Sequence, residues 1–164
     1  MRKCWSDIQA WLDNCGISFD KLYVDTNGGT DSFPVQGVPL KVAENFEISA
    51  MDGPMWRVFA SLGRRNPNIR WMPCDDPALI REFDAFQQET KAKHDNDNLG
   101  DEDSRRAMDI ICRRDRAIAE NIDKDLRPGQ IGILFMGMLH NLDDRLEDLL
   151  RSEGVDVLTV DYGT

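Results

Sequence analysis

The chain has 164 residues, 41% of them hydrophobic, and a formal net charge of −10. That length suits one domain built around one core. The acidic excess argues against nucleic acid, because a binder needs a basic face that displaces counterions, and against an anionic membrane surface, which would repel the chain.

The first residues, Met1-Arg2-Lys3-Cys4-Trp5-Ser6-Asp7, lead into an amphipathic segment and lack the apolar block of a signal peptide. No apolar run approaches the roughly 20 residues of a membrane span, so a cytoplasmic protein is expected. Trp5, Ile8, Leu12 and Cys15 recur at helical spacing, which predicts a helix from about Lys3 to Cys15 with Gly16 as its stop. Lys21 to Asp25 reads as a short strand, and Thr26 to Thr30 as the loop after it. In the stretch 31–51, Phe33-Pro34-Val35 and Val38-Pro39-Leu40 look extended, with prolines that suit an edge.

Asp52 is placed to cap a helix that starts near Pro54 and ends at Gly63, with Met55, Phe59 and Leu62 along one side. Ile69 to Met72 is the next strand. Asp76-Pro77 pairs a cap with a proline in the first turn, and Leu79, Ile80, Phe83 and Phe86 mark a long helix that fades by His94. Residues 95–103 are polar and turn-rich. Leu99 and Arg106 stand where a calcium loop needs Asp or Asn and Glu, so a solvated loop is expected there. A second long helix runs from about Asp103 to Leu126 and is closed by Pro128-Gly129.

Ile131 to Met136 is almost wholly apolar, the pattern of a central parallel strand covered on both faces. Leu142, Leu146, Leu149 and Leu150 predict another helix, Gly154 its end, and Val155 to Val160 the last strand. Alternating strands and helices imply right-handed crossovers. The expected fold is thus one α/β domain over 1–164, a mostly parallel sheet flanked by helices in a Rossmann-like three-layer arrangement. Cys4, Cys15, Cys74 and Cys112 form no Cys-x-x-Cys pair, and reduced, mostly buried thiols are expected.

In an open parallel sheet, ligands bind beyond the carboxy ends of the strands. That rule selects Asp25, then Asp75 and Asp76, then Gly137, His140 and Asn141, then Asp161 and Tyr162. Carboxylates gathered at one rim could hold a divalent metal or share a proton. Asp76 reads as a helix cap. Gly137 allows a close backbone approach and, with Asn141 and Asp75, is a candidate for binding substrate or an anion; His140 could act as base, acid or ligand. His94, in a polar stretch, reads as solvent-exposed.

The helix after residue 103 carries the sharpest anomaly. Ala107, Ile110, Ile111, Ile118 and Ile122 define its apolar stripe, and Arg114 and Asp115 fall inside it. An unpaired charge under a core is too costly to keep. These two must be paired, bound to backbone groups or facing a wet cleft. The alternatives are a buried ion pair tying the helix to a loop, or a site in which Arg114 holds an anion or orients a catalytic group.

The order Arg114-Asp115-Arg116-Ala117-Ile118-Ala119, buried strand, Gly137-Met138-Leu139-His140, helix, Gly154-Val155-Asp156-Val157 resembles the C-terminal half of the TraB/ChaN/erythromycin-esterase-like superfamily over roughly residues 110 to 160. The resemblance implies metal-dependent protease, esterase or haem- or iron-binding chemistry, and it carries over to Arg114 and His140. The superfamily's second histidine motif, near the first strand, is replaced here by Tyr23-Val24-Asp25-Thr26-Asn27-Gly28, with Asp25 as the only substitute. The first expectation is therefore a small hydrolase-like enzyme acting on a small-molecule ligand, with His140, Arg114 and Asp25 as its catalytic groups. The alternatives are a non-catalytic sensor or adaptor, with Trp5, Trp11 and Trp56 as candidates for a partner or homo-oligomer patch, and a nucleotide- or phosphate-binding protein that uses the helix start after Gly137.

Overall fold

A computed structural model describes residues 2–25, 54–72, 74–93 and 100–136. These form α1 (Arg2–Asn14), β1 (Lys21–Val24), α2 (Pro54–Arg65), β2 (Arg70–Met72), α3 (Pro77–Lys93), α4 (Asp101–Asp125) and β3 (Gly132–Phe135). The expected extended segments between 31 and 51, the Asp52 cap, the polar loop at 95–99, the helix around Leu142 and the strand at Val155 to Val160 lie outside the described residues.

The three strands form a parallel sheet in the order β2-β1-β3. Lys21 sits opposite both Arg70 and Gly132, and Val24 opposite Phe135. Period-two alternation splits β1 between the two faces. Leu22 and Val24 join Leu12 of α1, Val58, Phe59 and Leu62 of α2, and Trp71 of β2 in one apolar cluster. Tyr23 joins Ile118, Ala119 and Ile122 of α4, with Cys74, on the other face. A third cluster, Phe83 and Phe86 with Ile110 and Ile111, packs α3 on α4. The chain is thus a mixed α/β structure with a parallel sheet. Among the described residues, no helix is long and apolar enough to cross a membrane.

One expectation needs correction. Gly63 does not end α2, which continues to Arg65. A glycine within a helix costs only about 1 kcal/mol relative to alanine. The end is set instead by Asn66, whose backbone and side-chain N–H groups both donate to the Leu62 carbonyl, at 2.9 and 3.0 Å. The Asn66 Oδ1 accepts from Ser18 and Phe19, which anchors this helix end to the entry of β1.

β3 is half-buried along its length, with Ile133 and Phe135 packed against the first cluster and Leu134 against the second, so both of its faces meet apolar neighbours. Among the described strands β1 is central and fully buried. Trp5, Trp11 and Trp56 are half-buried and pack against the first cluster. Trp5 stacks on Phe135 at 6.1 Å and Trp56 on Trp71 at 6.1 Å.

Gly16 follows α1 with φ of +65°, the left-handed conformation that a helix stop favours. Gly132 has another reason to be glycine. A Cβ there would meet the Tyr23 ring at 2.9 Å and Leu126 at 3.4 Å. Gly132→Ala is therefore expected to displace Tyr23 and to lower unfolding free energy by roughly 1–3 kcal/mol. Urea denaturation checks this, and an unchanged midpoint would refute the close approach.

Candidate functional site

The site grows out of the pairing between β1 and α4. Lys21, Tyr23 and Asp25 alternate along the strand and so share one face. At the strand's start, the Lys21 Nζ lies 2.9 Å from an Asp125 carboxylate oxygen and also donates to the Asp125 carbonyl, and the Tyr23 hydroxyl donates to Asp125 Oδ2 at 2.8 Å. Just past its end, Asp25 meets Arg114. Asp125 follows Arg114 by about three helical turns and so lies on the same helix face. Strand and helix therefore run in opposite directions, polar at both ends of their contact and apolar between. Burial first, then the hydrogen bond to Asp125, raises the Tyr23 hydroxyl well above its ordinary value, so it stays a neutral donor.

Arg114 is the hub at the carboxy end of the sheet. Its Nη2 donates to Asp25 Oδ1 at 2.6 Å and to Asp75 Oδ2 at 2.5 Å, and its Nε donates to Asp75 Oδ2 at 3.2 Å. The side chains of Arg114, Asp25 and Asp75 are only 1%, 1% and 2% exposed. The Arg114 guanidinium carbon also lies 5.5 Å from the centre of the Phe83 ring, within cation–π range.

Asp25 extends the central strand, its N–H donating to the Phe135 carbonyl at 2.9 Å. Asp75 sits in the turn between β2 and α3, where its Oδ1 accepts the Asp76 N–H at 2.9 Å. Next to it, Asp76 caps α3 by accepting the Ala78 N–H at 2.7 Å.

The structure thus brings together three residues singled out in the sequence: Arg114, Asp25 and Asp75. Of the options open to a charge inside the stripe, Arg114 takes pairing. Asp115 is buried beside it at 3% exposure and is not left without an interaction. Gly137, His140, Asn141, His94, Asp161 and Tyr162 lie outside the described residues. Sequence reasoning missed Phe83 as a platform, Asn121 as a donor to the Cys74 carbonyl at 2.9 Å, and the Lys21–Tyr23–Asp125 group. The alternation Lys21, Tyr23, Asp25 and the three-turn spacing from Arg114 to Asp125 were the signals available.

Burial is the strongest influence on Asp75 and raises its carboxyl above the ordinary aspartate value. The Arg114 hydrogen bond and charge oppose this, and the Asp25 charge adds to it. For Arg114, burial works against the charge, but the Asp75 hydrogen bond and the charges of Asp75 and Asp25 outweigh it and hold the guanidinium protonated. Burial, together with the Asp75 and Asp25 charges, pushes the Cys74 thiol up to about 12. Cys74 is therefore an inert thiol that donates to the Val24 carbonyl at 3.4 Å. Cys15, Cys74 and Cys112 are thiols, not members of a disulfide among the described residues.

One guanidinium faces two carboxylates, so the cluster is formally negative. It can hold or share a proton. Among the described residues, no three His, Cys, Asp or Glu side chains are grouped to hold a metal ion. The Arg114 guanidinium occupies the place between Asp25 and Asp75 where a bridging cation would sit. No protein-family profile, curated protein or solved structure matches this chain.

Two outcomes are expected. Arg114→Met removes the shared cation from two buried carboxylates and should cost roughly 3–5 kcal/mol, with part recovered in the triple variant R114M/D25N/D75N; a loss below about 1 kcal/mol in chemical denaturation would contradict the pairing. For Asp75, a raised folded-state pKa means that the folded protein binds this proton more tightly than the unfolded chain does. The resulting stabilisation is complete below the unfolded value of about 3.9 and is lost as pH rises through the folded value. The stability of wild type relative to D75N should therefore grow as pH falls from 7 toward 4, as read from urea midpoints across that range. A flat or opposite trend would refute the raised carboxyl.

Proposed function

We propose that this chain is a small hydrolase-like enzyme with its reacting centre at the carboxy-terminal rim of the sheet, in a Rossmann-like three-layer domain. The observation that carries the reading is the burial of three charged groups from three separate elements at that rim, where parallel-sheet proteins hold their ligands. Stability alone gives little reason for such a cluster, since apolar residues of the same volume often serve as well or better. Perturbed carboxylates, by contrast, gather where chemistry is done.

In this reading Asp25 and Asp75 are the proton-handling pair. Burial brings Asp75 toward the pH range in which a carboxyl both takes and returns a proton, and Arg114 fixes the two acids relative to each other. His140 is assigned the second acid–base role, following the superfamily that the segment around residues 110 to 160 resembles, and Gly137 and Asn141, which follow the third strand in sequence, are assigned the approach of the substrate. The cluster's charge disfavours the phosphate- or nucleotide-binding alternative. Nε and Nη2 of Arg114 already serve carboxylates, so Arg114 positions acids instead of receiving an anion.

Purified protein is expected to hydrolyse neutral carboxylic esters such as p-nitrophenyl acetate or butyrate. D25N should lower kcat by about 100-fold or more while the circular dichroism spectrum stays unchanged. Turnover of no ester in the panel, or a D25N enzyme as fast as wild type, would overturn the proposal.

A further inference from the structure

Beyond the three charged groups, the geometry points to Asn121 as a positioning residue: by holding the Cys74 carbonyl, it fixes the turn that carries Asp75 onto Arg114. Cys74 lies past the end of β2, so its carbonyl has left the strand ladder. A buried carbonyl without a partner costs about 1–3 kcal/mol. The Asn121 Nδ2 supplies the missing donor at 2.9 Å. The same residue is held from the other side, because the Cys74 Sγ donates to the Val24 carbonyl of β1.

Asn121 follows Arg114 by about two helical turns and so lies on the same face of α4. One rigid helix therefore grips the turn twice, through the backbone at Cys74 and through the carboxylate at Asp75. The turn's own hydrogen bond, from the Asp76 N–H to Asp75 Oδ1, sets the carboxylate's rotation. With two grips from α4 and one from β1, Asp75 has little freedom to swing away from the guanidinium. With Asn121 gone, the polar tie that remains between this turn and α4 among the described residues is the ion pair that it is meant to position, beside the apolar packing of Cys74 on Ile118, Ala119 and Ile122. Asp25, Arg114 and Cys74 are the titratable or charged groups that act on Asp75 together with this turn.

The consequence for turnover rests on the hydrolase reading; the positioning itself does not. N121L keeps the side-chain size and removes the donor, while N121Q keeps a donor. In N121L, the Asp75 carboxyl, followed by 13C NMR, is expected to titrate closer to the ordinary value of about 3.9 than in wild type. The Asp76 amide should exchange about tenfold faster, with the amides of β1 unchanged. N121Q should restore both in part. An Asp75 titration and an Asp76 exchange rate both at wild-type values in N121L would overturn the inference. So would exchange that rises equally at Asp76 and throughout β1, which marks a general loss of stability. The ester assay judges the hydrolase reading separately, so the two failures are distinguishable.

Discussion

A guanidinium with 1% of its side chain exposed must be neutralised where it lies, and much of the described structure follows from that requirement at Arg114. Its partners come from the end of the central strand and from the turn after β2, so one side chain of α4 ties together the sheet and both helices of the α3–α4 pair. The Phe83 ring beneath it belongs to α3, which brings the third cluster into the same arrangement. The apolar clusters supply most of the burial, and they would tolerate small slides of one layer on another. Three charges that must meet within hydrogen-bond distance would not.

The second polar group, Lys21 and Tyr23 on Asp125, does at the start of β1 what Arg114 does at its end. Between them lie the ring of Tyr23 and the side chains of Ile118, Ala119 and Ile122, with no room to spare at Gly132. Packing and polar pairing here agree on one register. That agreement is what separates a uniquely placed helix from an apolar helix lying somewhere on a sheet.

Much of this was legible in the sequence. The stripe on the long helix can be counted from Ile110 to Ile122, and the misfit of Arg114 within it is a matter of spacing. The rule that ligands lie beyond strand ends selected Asp25 and Asp75 without any motif. What the sequence could not supply was partnership. Nothing local says that Arg114 bonds to residues 89 and 39 positions away, because those contacts depend on strand order, and strand order follows from packing the whole chain. Gly63 misled for a different reason, since a local stop signal of about 1 kcal/mol was overridden by the docking of Asn66 against Phe19.

The polar anchors at the two ends of the strand–helix contact make α4 a ruler between residues 114 and 125. An inserted or deleted residue in that interval would turn one anchor about 100° around the helix axis relative to the other, so that either Asp125 or Arg114 would face away from β1. Substitutions can drift along this stretch, but its length cannot. Among variants of this chain, insertions and deletions should collect in the loops and spare those three turns and their flanks.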